Sequence, residues 1–156
     1  MKDKAQSQSP AVPGRISGNF VLLRADSLRL LLPQQDVGSA QYMEHELRAT
    51  AQPGVFEHGA GDGLRRVVAL SGRMRPLPGF PGDRFVLASL RTGDSALSFA
   101  WNEVQVLIDA EFERHDLPIA MQVPDAPIVA YVEREGEVAL CTSAERVLAY
   151  AAAAAG

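Results

Sequence analysis

Short apolar segments separated by polar turns dominate the chain and predict a protein built mainly from β-strands. Three pairs of these segments have the spacing of β-hairpins, over residues 20–32, 84–101 and 127–141. Pro33 ends the first hairpin because proline has no N–H to donate to a sheet. Residues 142–145, Thr-Ser-Ala-Glu, have the form of a capping box and predict one C-terminal helix capped by Thr142. The predicted fold class is therefore all-β with a short C-terminal helix.

The first two hairpins resemble each other and indicate an internal duplication. Each begins with Phe-Val-Leu, at Phe20 and at Phe85, and continues through a polar turn and a second apolar strand to an acidic residue followed by valine. The two copies are offset by about 65 residues, with small gaps. One strand–turn–strand–helical-turn unit used twice predicts two related β-subdomains within one domain. Chance similarity between two apolar hairpins is the alternative.

Length and composition fit a single domain with a substantial core. The chain has 156 residues, of which 47% are apolar and 22% are charged. A chain of this size buries about 68% of its unfolded surface. We predict a flexible tail over residues 1–17, where large apolar side chains are scarce, a folded domain over residues 18–150, and an alanine-rich helix end over residues 151–156.

Charge and cysteine content narrow the functional classes. Lys and Arg number 15 against 19 Asp and Glu, and the resulting net charge of -4 argues against a nucleic-acid-binding protein. The chain lacks the run of about 18 apolar residues that a membrane span needs, and residues 1–7 lack the apolar stretch of a secretion signal. We therefore predict a cytoplasmic protein without membrane insertion. One cysteine and three scattered histidines predict neither a disulfide nor a zinc site, and no cofactor is expected.

Two segments carry residue types that occur in ligand sites, and each has a simpler structural explanation. The glycine-rich residues 59–63 resemble a phosphate-binding loop, but a strand, not a helix, is predicted to follow them. Asp109, Glu111, Glu113 and His115 alternate, so in a strand they would share one face and could bind a hard cation. A solvated outer face gives the same alternation and is the favoured interpretation.

Two potential nucleophiles are weak candidates for catalysis. Ser71 lacks the G-x-S-x-G setting of a nucleophilic serine, and Cys141 follows an apolar residue in a predicted strand, where a small buried side chain is expected. A hydrolase is therefore the least favoured class. The middle of the chain has a positive bias that suits protein interfaces, although a solvated face is the simpler interpretation. The arginines concerned are Arg65, Arg66, Arg73, Arg75 and Arg84.

Four segments, in order and spacing, match the motifs of one known family. Residues 20–37 combine the first hairpin with Leu-Pro-Gln-Gln-Asp-Val, and residues 67–76 contain Ala-Leu-Ser-Gly-Arg-Met-Arg-Pro. Residues 97–104 end in Trp-Asn-Glu-Val, and residues 127–148 comprise the last hairpin and the helix start. Together they resemble the CheW-like domain, the adaptor fold of bacterial chemotaxis systems, over nearly the whole of residues 18–150.

The resemblance implies both a fold and a function. The fold would be two SH3-like β-barrels, in keeping with the internal duplication, and the function that of a noncatalytic adaptor. Its partners would be a chemotaxis-type histidine kinase and the cytoplasmic tip of a chemoreceptor. The partner-binding segment, which corresponds to Asn-Leu-Arg-Gly in the family, would comprise Leu70, Ser71, Gly72, Arg73 and Arg75.

The chain also departs from the family pattern. Where the family has Asn, Arg, Asp, Gly and Asp, this sequence has Ala69, Ser71, Asn102, Ala130 and Thr142. A hydroxyl at Ser71 cannot replace the charged planar side chain of arginine, whereas Thr142 can still cap a helix. The alternative function is that of a small-ligand-binding β-barrel, which would use the carboxylate-rich strand or the space under residues 58–63.

Overall fold

The structure, a computed structural model, describes residues 14–44, 47–59, 63–79, 82–122 and 126–155. In these ranges the chain forms two six-stranded sheets and one C-terminal helix, which confirms the mainly β class. The elements are β1 (Arg15–Ala25), β2 (Leu28–Pro33), β3 (Val37–Tyr42), β4 (Arg48–Ala49), β5 (Val55–His58), β6 (Arg65–Val68), β7 (Val86–Thr92), β8 (Ser95–Trp101), β9 (Glu103–Glu113), β10 (His115–Asp116), β11 (Ala130–Arg134), β12 (Glu137–Cys141) and α1 (Ala144–Ala155). No helix in the described ranges has both the length and the apolar character needed to cross a membrane.

The two sheets have the same topology. Their strand orders are β9-β1-β2-β12-β11-β10 and β3-β7-β8-β6-β5-β4. Each contains an antiparallel hairpin, β1–β2 or β7–β8, with a parallel neighbour beside its second strand. The strand that follows each hairpin leaves for the outer edge of the other sheet, so that β3 pairs with β7 and β9 pairs with β1. Each sheet therefore receives one edge strand from the segment that follows the hairpin of the other sheet, and we call β3 and β9 the exchanged strands.

Residue pairing supports the internal duplication. Val37 lies opposite Leu90, and Val104 lies opposite Leu23, and the sequence separation between the two valines equals that between the two leucines. The two-residue hairpin turn after Ala25 accordingly corresponds to the turn after Thr92. The structural correspondence is therefore free of gaps in this region, where the sequence comparison needed small ones.

Buried apolar side chains form three clusters, which explains the uninterrupted apolar runs in the sequence. The largest lies between the two sheets and α1, and the other two lie within the individual sheets. Leu30 and Leu32 belong to the central cluster while Leu31 belongs to that of the first sheet, so β2 is buried on both faces and contains consecutive leucines. In the first sheet β9 and β11 touch although they are not neighbours, so this sheet is strongly curled.

The first strand includes part of the segment predicted to be a tail. β1 begins at Arg15, and Ile16 pairs with Phe112 and packs against the core of the first sheet. Residues 15–17 are thus ordered by sheet pairing, which the low apolar content of the segment did not reveal. The remainder of the predicted tail, residues 1–13, lies outside the described residues.

The helix begins one residue later than its capping sequence predicts. Thr142 does not cap it: the Thr142 hydroxyl donates to the Pro127 carbonyl, and the Thr142 N–H donates to the Leu31 carbonyl at 3.1 Å. The Ser143 hydroxyl instead accepts the Arg146 N–H at 3.3 Å. The prediction of Thr142 as the cap is therefore wrong, because this side chain is used to join the last hairpin to the helix.

A side chain from outside the helix also accepts a hydrogen bond from the helix N-terminus. The Asp36 carboxylate accepts the Ala144 N–H at 2.9 Å, and Asp36 itself ends the 3-10 turn Gln34–Asp36 that was predicted after β2. A carboxylate satisfies an orphan N–H there and complements the positive end of the helix dipole. This contact ties α1 to the point where the chain crosses from the first sheet to the second.

Candidate functional site

The five predicted partner-binding residues lie together in one tight turn after β6. Leu70 and Pro76 form an antiparallel bridge at its base, and the Ser71 N–H donates to the Arg75 carbonyl at 2.7 Å. Leu70 is 3% exposed and belongs to the central core, whereas Arg73 and Arg75 are exposed. We call residues 70–76 the arginine turn, because it holds two arginines outward on a base fixed in the core.

Ser71, the residue in place of the family's arginine, organises this turn from inside. Its hydroxyl oxygen accepts the Arg73 N–H at 3.1 Å and the Arg75 N–H at 3.3 Å. Serine is common in turns because its hydroxyl bonds to the backbone two residues on. At the centre of the turn Met74 is buried and has a φ of 60, a left-handed conformation that costs a non-glycine residue about 1 kcal/mol. The turn therefore holds a defined shape despite local strain.

The tip of the first hairpin anchors the arginine turn. Asp26 lies in this tip with a φ of 58, and its carboxylate accepts the Gly72 N–H at 3.2 Å. The Asp26 N–H in turn donates to the Asn102 amide oxygen at 2.5 Å, while the Asn102 side-chain amide donates to the Asp83 carbonyl at 2.9 Å. Asn102 lies in a bend between β8 and β9. A single acidic residue thus links the first sheet to the predicted partner-binding turn on the second.

Arg84 is the buried partner of this carboxylate. The whole residue is 1% exposed, its Nη2 lies 3.2 Å from the Asp26 carboxylate, and its Nη1 donates to the Ala100 carbonyl at 3.2 Å. The prediction that grouped Arg84 with exposed basic residues is therefore wrong. Asp26 was not among the predicted site residues, because nothing local in the sequence indicates that a hairpin-tip carboxylate and a distant arginine meet.

The carboxylate-rich strand does not form a converging site. Asp109 lies at a bulge in β9 with a φ of 51, which interrupts the alternation, and Glu111 is paired with Arg15 at 3.0 Å. The His115 ring stacks on Tyr131 at a centroid distance of 5.0 Å. Among the described residues no three His, Cys, Asp or Glu side chains are grouped so that they could hold a metal ion. The ligand-binding alternative therefore gains no support from this strand.

The two potential nucleophiles, Ser71 and Cys141, lie among the described residues, whereas the third candidate, the glycine-rich loop, does so only in part. The glycine-rich loop falls partly on residues 60–62, which lie outside the described residues. Cys141 is buried, and this burial raises the pKa of its thiol above the ordinary value although the nearby Arg114 charge opposes the rise. A neutral buried thiol is a poor nucleophile. The Ser71 hydroxyl oxygen already accepts two backbone N–H groups.

A second exposed surface lies where the exchanged strands cross. A groove of about 320 Å³ runs along the edges of β3 and β9 and is lined by Val37 from one sheet edge and by Val104 and Val106 from the other. We call it the inter-sheet groove. Val106 is 52% exposed and its neighbour Ile108 is 59% exposed, so apolar side chains reach solvent along this edge.

Comparison with protein-family models found no match to this chain, and comparison with curated proteins likewise found none.

Proposed function

We propose that the protein is a noncatalytic signalling adaptor of the CheW-like kind, which acts in the cytoplasm and couples a histidine kinase to chemoreceptors or related signalling proteins. The observation that carries the proposal is the exchange of one strand between two sheets of identical strand order, in a chain whose four motif segments follow the order of that family. On this proposal each sheet is one SH3-like barrel.

The two exposed surfaces would make different contributions to partner binding. The inter-sheet groove offers apolar contacts, and the arginine turn offers two outward cations that can pair with carboxylates on a partner. Interfaces commonly combine an apolar centre with charged groups that select the partner. The loss of the family's arginine at Ser71 would be offset by Arg73 and Arg75, whose backbone the Ser71 hydroxyl holds in place.

Binding to purified partner fragments tests the proposal. The chain is immobilised and mixed with the regulatory domain of a chemotaxis-type kinase or with the cytoplasmic tip of a chemoreceptor. We expect capture of at least one fragment, and loss of capture in the variant Arg73→Glu with Arg75→Glu. A control variant of equal charge, Arg15→Glu with Arg134→Glu, changes the other sheet and should retain binding. Absence of capture by the unmodified chain, or equal loss in both variants, would contradict the proposal.

A further inference from the structure

Ion pairs are distributed unevenly over the surface. Arg15, Arg24, Arg29, Arg84 and Arg134 each pair with a carboxylate. Eight exposed arginines form no ion pair with any described residue: Arg48, Arg65, Arg66, Arg73, Arg75, Arg91, Arg114 and Arg146. Five of these eight fall within residues 47–79, where the sequence has two acidic residues although the whole chain has a net charge of -4. With five arginines and two acidic residues, this stretch of the chain carries an excess of positive charge.

An apolar groove lies beside part of this stretch and has Arg66 in its lining. It has a volume of about 190 Å³ and lies between α1, β5, β6 and the base of the arginine turn. We call it the helix groove. Its apolar lining includes Val55, Val68, Leu70, Leu97, Leu148 and Ala152.

Strand geometry places a cation at the rim of this groove. Alternate residues of a strand share one face, so Arg66 projects on the same side as Val68 and also lines the groove, whereas Arg65 projects to the opposite side. Across the sheet Glu57 lies opposite both Arg66 and Arg48, but it forms no ion pair with either. Arg48, Glu57 and Arg66 together carry one net positive charge next to the helix groove.

The size of the groove favours one side chain over a metabolite. Sites for small molecules commonly have volumes of about 300–1,000 Å³ and enclose most of the ligand. The helix groove is smaller than this range and open along one side. Protein interfaces, by contrast, concentrate their affinity in a few apolar side chains inserted into pockets, with charged groups around them.

We propose that the helix groove binds an acidic segment of a partner protein, with one large apolar side chain of that segment in the groove and adjacent carboxylates paired with Arg66 and the neighbouring exposed arginines. The inference deepens the proposed adaptor function, on which it rests for the partner being a protein. Leu70 and Pro76 belong both to the groove and to the base of the arginine turn, so the two surfaces are continuous. One partner segment can therefore span them.

Two pairs of variants test the groove with a defined probe. The probe is a fluorescein-labelled synthetic peptide of glutamate and leucine, with leucines at helical spacing, and binding is followed by fluorescence anisotropy. Ala152→Leu fills the mouth of the groove from an exposed helix position, and Ala149→Leu is its control, because Ala149 is exposed on the same helix outside this groove. Arg66→Glu reverses the rim charge, and Arg65→Glu makes the same change on the opposite side of β6.

We expect Ala152→Leu and Arg66→Glu each to weaken binding by about fivefold or more, and both controls to change it by less than about twofold. A peptide with alanine in place of leucine, or lysine in place of glutamate, should bind the unmodified chain at least about fivefold more weakly. Equal effects of Arg66→Glu and Arg65→Glu, or binding indifferent to Ala152→Leu, would overturn the inference. So would a dimer of the unmodified chain that Ala152→Leu abolishes in sedimentation, because the occupant would then be a second copy.

The same variants separate this inference from the adaptor function. If kinase or receptor fragments bind and Ala152→Leu leaves both their capture and the peptide affinity unchanged, the groove inference fails and the adaptor function stands. If the acidic peptide binds through the groove while neither fragment is captured, the adaptor function fails and the groove remains a site for an acidic segment.

Discussion

Separating Asp26 from Arg84 should destabilise the protein and loosen the arginine turn. The most conservative change is Asp26→Asn, because asparagine tolerates the left-handed φ of 58 at this position and retains an oxygen for the Gly72 N–H. What it removes is the negative charge that faces a guanidinium with a fully buried side chain.

The magnitude follows from burial on the two sides of the pair. Breaking a fully buried ion pair costs about 3–5 kcal/mol because one charge stays buried without its partner. The Asp26 side chain is 46% exposed, so water compensates part of this loss, and the Ala100 carbonyl still accepts one guanidinium N–H. We therefore expect Asp26→Asn to lower the free energy of unfolding by about 1–2 kcal/mol.

Urea unfolding followed by the fluorescence of Trp101 measures this effect, because the single tryptophan is buried in the central cluster. The companion variant Arg84→Met removes the buried charge, and the two changes together complete a double-mutant cycle. We expect an interaction energy of about 1 kcal/mol, with the double variant more stable than the sum of the single effects predicts. Additive effects, or an Asp26→Asn variant within about 0.3 kcal/mol of the unmodified chain, would refute the reasoning.

Four further outcomes follow from the structure. Asp36→Ala removes the acceptor of the Ala144 N–H and should lower the free energy of unfolding by about 1 kcal/mol in urea, and an unchanged midpoint would contradict this role. Burial raises the pKa of Cys141, so its neutral thiol should contribute fully to the free energy of unfolding below the ordinary thiol pKa. That contribution should be lost as pH rises toward the higher pKa of the folded state. Its thiol should react with a disulfide reagent more slowly in the folded chain than in urea, and equal rates would argue against burial. Ser71→Ala should weaken capture of partner fragments by about threefold while α1 remains folded by circular dichroism, and unchanged capture would show that the hydroxyl does not hold the turn.

Local patterns were sufficient to predict the hairpins and the helix, because strand alternation and turn residues act over a few positions. The duplicated hairpin also predicted that two related β-units exist. The parallel pairings of β2 with β12 and of β8 with β6 were not predictable, since each joins segments that are distant in sequence and leaves no local signature.

The conformation of the predicted partner-binding segment was not predictable from the sequence. The spacing of motifs identified residues 70–75, yet the residues that fix their conformation come from elsewhere. Arg84 follows a proline-rich stretch and has the local sequence setting of a surface cation. Its contact with the Asp26 carboxylate offsets the cost of burying its charge. Similarly, the helix cap depends on Asp36, which no capping motif near Ser143 can indicate.

The most direct test of the adaptor role is hydrogen exchange on the chain alone and on the chain mixed with the regulatory domain of a chemotaxis-type kinase. The account predicts that amides of the arginine turn, residues 70–76, exchange more slowly in the mixture, and that Arg73→Glu with Arg75→Glu abolishes this protection. Exchange that is unchanged at these residues, with binding present or absent, would contradict it.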